Sequence, residues 1–229
     1  IYGLVAVAVS ITWSALGLLN LSYGFIFSFA GYGAWLAQRY WWENPTFVLF
    51  MGIIAGIIGA GNFTKMMVLP FLSKTNSNLK YIASSEGVNS TILAKKFKIV
   101  VSTTDYKNIL NDPEINVVFI TTRHDSHSKL VVESLQAGKN VFVEKPLSIN
   151  REELDKIVNC YNSTENISLM VGYNRRFSPH VQSVKKSLGN DSAPVNIIAN
   201  MNAGKIPDNH WANDELIGGG RIIGEACHL

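Results

Sequence analysis

Hydrophobic residues follow two different patterns along this chain, and the change falls somewhere between residues 45 and 56. From residue 53 onward, short apolar runs alternate with amphipathic stretches. The runs IIAGII (53–58), LKYIAS (79–84), KIVV (98–101), NVVFITT (116–122), NVFVEK (140–145) and SLMVGY (168–173) have the length and the β-branched or aromatic content of strands. Helical spacing fills the gaps between them. From Asp125 to Ala137, the residues His127, Leu130, Val131, Ser134 and Leu135 share one face, and Gly138 stands where a C-terminal cap belongs. A second helix starts at Asn150, which can cap with Glu153 three residues on, and Leu154, Ile157, Val158 and Tyr161 form its apolar stripe. Strands that are apolar throughout are buried on both faces. Joined by helical crossovers, they predict a parallel, doubly wound α/β sheet of Rossmann type.

The first part of the chain is built differently. Residues 1–38 contain no Asp, Glu, Lys or Arg, and the first charges are Arg39 and Glu43. IYGLVAVAVSITWSALGLLN has about the 20 residues a helix needs to cross a bilayer. After LSYG comes a second apolar run with Ala30, Gly31, Gly33 and Ala34 at close-packing spacing, and Arg39-Tyr40-Trp41-Trp42 reads as an interfacial anchor. A third apolar run, PTFVLFMGIIAGIIGA, begins at Pro45. Two or three membrane helices are expected here. A buried helical hairpin is the blander alternative, and a signal peptide fits less well because no basic n-region precedes the apolar stretch. The segment ALGLLNLSYGFIFSFAGYGAWLA resembles early membrane segments of permeases of branched-chain amino-acid ABC transporters, a resemblance that covers residues 1–50.

The formal net charge of +3 is too small to point to nucleic acid. Cys160 and Cys227 belong to no C-x-x-C or His-rich cluster. That spacing argues against a metal site and a disulfide framework, and it suits a reducing compartment.

Two places carry candidate chemistry. Gly59-Ala60-Gly61-Asn62-Phe63-Thr64 reads as G-x-G-x-x-G with Thr in the third glycine place. Gly59 permits the tight turn, Gly61 lets a pyrophosphate approach the backbone, and the following helix presents its N-terminus to the phosphate. Thr64 is expected to loosen the helix–strand packing and leave the phosphate contacts intact. At the end of the second strand Ala83-Ser84-Ser85 stands where an acid usually binds the adenosine ribose, with Glu86 slightly late, and no arginine replaces it, so NAD and NADP both remain open. The other place is the fifth long run, which ends in Glu144-Lys145-Pro146. Ligands of such sheets sit beyond the carboxyl ends of the strands. A partly desolvated lysine there can serve as acid or base, and a glutamate can accept hydrogen bonds from a ribose.

Residues 53–229 resemble the Gfo/Idh/MocA oxidoreductases through GIIGAGNFTK, VVFITTRHDSH, AGKNVFVEKPLSINREELDKIV, VGYNRRFSPH and GGGRIIGEACH, taken in order. The likeness is strongest to a branch associated with sugar or polysaccharide metabolism. It implies reversible hydride transfer between a sugar-like alcohol carbon and NAD or NADP. It implies that Gly59, Gly61, Asn62 and Phe63 hold the pyrophosphate, and that Ser84, Thr121, Thr122, Arg123 and His127 also touch the dinucleotide. Glu144 is implied to bind the nicotinamide ribose, Lys145 to polarise the reacting hydroxyl, and Asn174 and Arg175 to border nicotinamide and substrate. His228 is implied as the acid/base partner of Lys145. Two positions depart from the family: Arg123 replaces a usual Asn, and Gly224 a usual Asp. His127, on an amphipathic helix, also fits a satisfied core histidine, Arg175-Arg176 also fits plain surface charge, and Gly218-Gly219-Gly220 a flexible loop.

The organisation expected is a membrane-like segment at 1–50, a dinucleotide-binding domain at 53–175 and, at 176–229, the beginning of a substrate domain whose first strand runs from about Val195 to Ala203. The expected partners are a dinucleotide, a small sugar-like substrate and, through residues 1–50, a membrane. The Rossmann part would then be cytoplasmic, and the whole chain soluble if the first segment is not native to it. A chain cut short in its substrate domain is expected to bind cofactor and turn over little.

Overall fold

The computed structural model describes residues 8–11, 53–75, 77–189, 194, 196–201 and 204–226. Its first element is a short strand, β1 (Ala8–Ile11). The main sheet is built from β2 (Ile54–Ile58), β3 (Asn78–Ala83), β4 (Val101–Thr103), β5 (Val117–Ile120), β6 (Asn140–Glu144) and β7 (Leu169–Gly172). Their spatial order is β4-β3-β2-β5-β6-β7, and every pairing is parallel. The order reverses direction beside β2, which is the doubly wound arrangement the alternating pattern predicts.

Helices cover both faces. A π-helical turn (Thr64–Val68) runs into α1 (Leu69–Leu72), followed by α2 (Val88–Phe97), α3 (Lys107–Leu110), α4 (His127–Gln136) and α5 (Arg151–Asn162). One core face joins Ala55, Ile57, Leu79, Ile82 and Phe119 to Val68, Leu69, Leu72 and Leu93. The other joins Ile58, Val118, Ile120, Val141 and Val143 to Ile109, Leu130, Val131, Leu135 and Ile157. Successive residues of one strand, such as Val118 and Phe119, thus serve opposite cores, which is why the strands carry no polar alternation. Gly56 is required by packing: a Cβ there would lie 2.3 Å from the Ile109 side chain. The caps form as the sequence suggests. Gly138 has φ +73°, the Asn150 side chain accepts from the Glu153 amide at 2.9 Å, and Glu153 accepts in return from the Ile149 amide at 3.2 Å.

Beyond β7 lie α6 (Pro179–Leu188), β8 (Ile198–Met201), a 3₁₀ turn (Trp211–Asn213) and α7 (Gly220–Glu225). The strand expected at 195–203 is present as β8, but its ladder is parallel and its partner is β1. This corrects the first membrane helix where it can be seen, because Ala8–Ile11 is extended there. The third apolar run is corrected too: Ile54–Ile58 form the central strand of the sheet, hydrogen-bonded on both sides and ended by the Gly59 turn. The remainder of residues 1–50 lies outside the described residues. Among the described residues no helix is long and apolar enough to cross a membrane. Two smaller expectations also shift. The run at 98–101 is mostly a helix cap, with Lys98 left-handed at φ 56° and the strand starting at Val101. In α5, which packs against α4, only Ile157 of the apolar stripe is fully buried, while Val158 and Tyr161 are exposed.

Candidate active site

All six strands of the main sheet run the same way, so their carboxyl ends share one edge. Along that edge stand the loop after β2 with Gly59, Gly61, Asn62 and Phe63, Ser84 after β3, and Thr121, Thr122 and Arg123 after β5. Glu144 and Lys145 follow at the end of β6, and Asn174 and Arg175 after β7.

The two loop glycines differ in what demands them. Gly59 has φ +117°, and a Cβ on it would fall 2.8 Å from the Thr121 backbone, so the protein itself excludes a side chain. A Cβ on Gly61 would meet nothing within 4 Å. The space above Gly61 is open, a cradle that a Cβ would fill and a pyrophosphate fits. The Lys65 amide donates to the Gly61 carbonyl at 3.0 Å, so the helical segment opens at this loop. Beside it lies a cleft of about 330 Å³ lined by Gly61, Asn62, Lys65, Asn89 and Ile92. The Phe63 ring packs into the core, leaving its backbone at the loop.

Thr64 does not loosen the packing as expected. It is fully buried, donates to the Gly59 carbonyl at 3.0 Å, and shares a 2.7 Å hydrogen bond with the Thr121 hydroxyl. The hydroxyl pair ties the phosphate loop to the end of β5.

His127 is corrected from cofactor contact to internal brace. Its ring is wholly buried, with Nδ1 2.7 Å from the Pro146 carbonyl oxygen and Nε2 3.2 Å from that of Thr122. No face is left for a dinucleotide. It joins the loop after β5 to the loop after β6. Burial pushes its pKa below the ordinary histidine value, outweighing the two carbonyls that favour the protonated ring.

At the end of β6, Glu144 pairs in register with Gly172 of β7. A Cβ on Gly172 would stand 2.7 Å from Glu144 Oε1, so this glycine makes room for the carboxylate. The buried Asn174 amide donates to Oε1 at 3.1 Å. Burial pushes the Glu144 carboxyl up to about 7, against the opposing pull of the Asn174 amide and the Lys145 charge. Lys145 Nζ donates to the Gly224 carbonyl.

A segment from Trp211 to Glu225 closes over this edge. The Asp125 amide donates to the Ile217 carbonyl at 3.1 Å, and His124 Nδ1 lies 2.8 Å from the Gly218 carbonyl oxygen. The glycine run is tightly held rather than a flexible loop, since a Cβ on Gly218 would be 2.7 Å from the Ala212 backbone. The Trp211 ring meets His124 edge-on at 5.0 Å, and the Arg123 guanidinium lies over Trp211 at 5.7 Å. Arg175 is more than surface charge: half-buried, it approaches Glu225 at 3.9 Å. Sequence reasoning passed over His124, Trp211 and the Gly224 carbonyl. For His124 and Gly224 the signal was position inside the motif stretches; Trp211 lies outside them. His228 lies outside the described residues.

A family model described as "Oxidoreductase family, NAD-binding Rossmann fold" matches residues 53–173. An inositol 2-dehydrogenase of Rhizobium meliloti is 30% identical over 138 residues, covering 60% of this chain and 41% of that enzyme. A levoglucosan dehydrogenase of Pseudarthrobacter phenanthrenivorans is 34% identical over 107 residues, covering 47% of this chain and 27% of that enzyme. A solved levoglucosan dehydrogenase in complex with NADH and levoglucosan superimposes with a TM-score of 0.66 at 25% identity, covering 77% of this chain and 52% of that one. The chain therefore spans about half, or less, of the length of these relatives, and residues 1–50, for which a permease resemblance is not shown, precede the span the family model matches. The parallel sheet, the open cradle at Gly61 and the matched span together place the chain in the Gfo/Idh/MocA oxidoreductase family, with the NAD-binding Rossmann fold that defines it.

Proposed function

We propose that this chain takes part in NAD-dependent oxidation and reduction of a sugar-like or cyclitol hydroxyl, with residues 53–175 holding the dinucleotide. The observation that carries the reading is the shared edge: the Gly61 cradle, the half-buried Glu144 carboxyl and the Lys145 ammonium all stand at the carboxyl ends of adjacent parallel strands. When bound, the nicotinamide supplies the hydride acceptor. The chain's own groups do the rest. The loop at Gly59–Phe63 seats the pyrophosphate, with Thr64 and Thr121 keeping it in place. Glu144 accepts hydroxyls of the nicotinamide ribose, and Asn174 fixes the carboxylate's direction. Lys145, steered by the Gly224 carbonyl, donates to the oxygen of the reacting alcohol and favours the alkoxide as it develops. Arg175 borders the substrate, oriented by Glu225. The turn after β3 offers Ser84 to the adenosine ribose, with Glu86 two residues further on.

The inositol and levoglucosan dehydrogenases among the relatives support this substrate class. The test is a titration of the chain with NADH and, separately, NADPH, followed by tryptophan-to-nicotinamide energy transfer, for which Trp211 is placed on the same edge. Saturable NADH binding that is lost in Gly61→Ala is expected. A folded chain that binds neither nucleotide would remove the reading. Absorbance of reduced cofactor across a panel of inositols and anhydrosugars then identifies the substrate.

A further inference from the structure

We propose that the substrate of this site is an anionic sugar, one bearing a carboxylate or a phosphate, and that Arg123 is the residue that selects it. The proposal rests on the dehydrogenase reading above and narrows its substrate class.

Three observations carry it. The first is a charge that the fold leaves unanswered. Arg123 is exposed at the carboxyl edge of the sheet. Among the described residues no carboxylate lies within ion-pair distance of it, and no hydrogen bond reaches its guanidinium. Asp125, two residues on, lines the cleft between α4 and α5 instead. The second is how the guanidinium is held. It lies over the Trp211 ring at 5.7 Å, Trp211 meets His124 edge-on at 5.0 Å, and His124 Nδ1 is 2.8 Å from the Gly218 carbonyl oxygen. The aromatic contact keeps the charged head in place and supplies no oxygen to its N–H donors. The fork is thus positioned and still open for the two parallel hydrogen bonds that a carboxylate or phosphate accepts from arginine. The third is where the residue stands. The segment that carries Trp211 also carries Gly224, whose carbonyl takes the Lys145 ammonium. Arg123 therefore shares a wall with the lysine that meets the reacting hydroxyl. It does not line the cleft beside Gly61, where the cation is Lys65.

The charges at this edge do not cancel. Arg175 has Glu225 at 3.9 Å. Glu144 has its carboxyl pushed up to about 7 by burial, and the Asn174 amide takes its Oε1 at 3.1 Å. Asp214 turns its carboxylate back to the Leu216 amide at 2.8 Å. Two cations, Arg123 and Lys145, remain with no carboxylate in ion-pair distance among the described residues. A neutral cyclitol leaves the Arg123 charge as it is. An acidic sugar answers it while Lys145 takes the reacting hydroxyl. Two anchors at separate points of one sugar fix which carbon faces the nicotinamide, and that orientation is what hydride transfer requires. Because the guanidinium is exposed, its attraction is screened by salt, so ionic strength probes it directly.

The test is calorimetric titration of the whole chain, saturated with NADH, with D-hexuronates and D-hexose 6-phosphates, each matched with its neutral hexose, and with myo-inositol. At least one acidic sugar is expected to bind tenfold or more tighter than its neutral match, and that advantage should shrink as salt is raised from about 20 mM to 500 mM. Whether the uronate or the phosphate shows it names the acidic group. Arg123→Gln should abolish the preference and leave the melting temperature, the NADH affinity and the binding of the neutral sugar as in the parent. Arg123→Lys, which keeps the charge and loses the fork, should restore part of it. A chain that binds NADH but no acidic sugar, or binds acidic and neutral sugars alike, overturns the proposal. So does a fall in NADH affinity in Arg123→Gln, which would return the residue to the dinucleotide contact that the family resemblance implies. Failure of the dehydrogenase reading is distinct, because it shows as no NADH binding by the parent before any sugar is added.

Discussion

Single residues at the sheet edge divide into those the fold needs and those the ligand needs, and the two loop glycines separate the classes most cleanly. Gly59→Ala places a Cβ against the Thr121 backbone at φ +117°. Backbone strain alone costs about 1–3 kcal/mol, so thermal denaturation should show a marked loss of stability even with no cofactor added. Gly61→Ala meets open space. Its melting temperature should match the parent, while NADH affinity falls at least tenfold, about 1.4 kcal/mol. Glu144 makes a pH-dependent case. Its carboxyl titrates near 7 in the fold against an ordinary 4.5. Between those values the unfolded chain releases its proton first, so the folded state loses relative stability as pH rises through the window, and the loss is complete above about 7. Glu144→Gln removes that penalty. The variant should gain in melting temperature over the parent at pH 8 and not at pH 4, as read by calorimetry. Ribose hydroxyls bind the ionised form, so parental NADH affinity should tighten through neutrality while the glutamine variant stays weak and flat.

Between elements, the site is held by a few side chains that cross from one loop to the next. Thr64 and Thr121 join the phosphate loop to β5 through the 2.7 Å hydroxyl pair. Thr64→Val keeps the volume and deletes the bond. It should cost about 1 kcal/mol in denaturant unfolding, because Thr121 retains the Ile58 and Gly59 carbonyls as weaker acceptors. His127 is the stronger tie. Replacing it with Ala leaves a cavity and removes the N–H donor that faces the Pro146 and Thr122 carbonyls, at a cost of about 2–4 kcal/mol. Because Pro146 adjoins Lys145, that variant should also lose NADH binding in the fraction that stays folded, and the titration described above measures it. Lys139 plays a related part at the opposite edge of the sheet, where its buried Nζ donates to the carbonyls of Asp112 at 2.7 Å and Ile115 at 3.0 Å. It secures the loop before β5, away from the carboxyl edge of the sheet.

For the molecule as a whole, a ligand that binds only the folded state must stabilise it. NADH at about 100 times its dissociation constant should add about 2.7 kcal/mol to the unfolding free energy, and a melting shift with NADH that is absent in Gly61→Ala would confirm binding at the cradle. Much of this architecture was readable in the residues themselves. Uniformly apolar strands, Gly59 and Gly61, the Asn150 cap and the Glu144-Lys145 terminus are local signals, and a parallel sheet collects strand ends on one edge without further instruction. Hydrophobicity by itself could not separate a membrane run from a central strand at Ile54–Ile58, since both environments exclude water; the flanking β3 and β5 decided it. Periodicity likewise put His127 on the inner face of α4 but could not say that its two ring nitrogens would face the Pro146 and Thr122 carbonyls. Thr64 in a glycine's place read as a defect until its hydroxyl found Thr121, 57 residues away. Gly224 read as a missing carboxylate until its carbonyl was seen to take the Lys145 ammonium. The sequence by itself determined the elements, their hydrophobic faces and the motif glycines, because these depend on neighbours a few residues away. Only the tertiary structure decided which polar groups meet, because contacts between residues 57 to 94 apart in the chain depend on how the loops at the sheet edge pack.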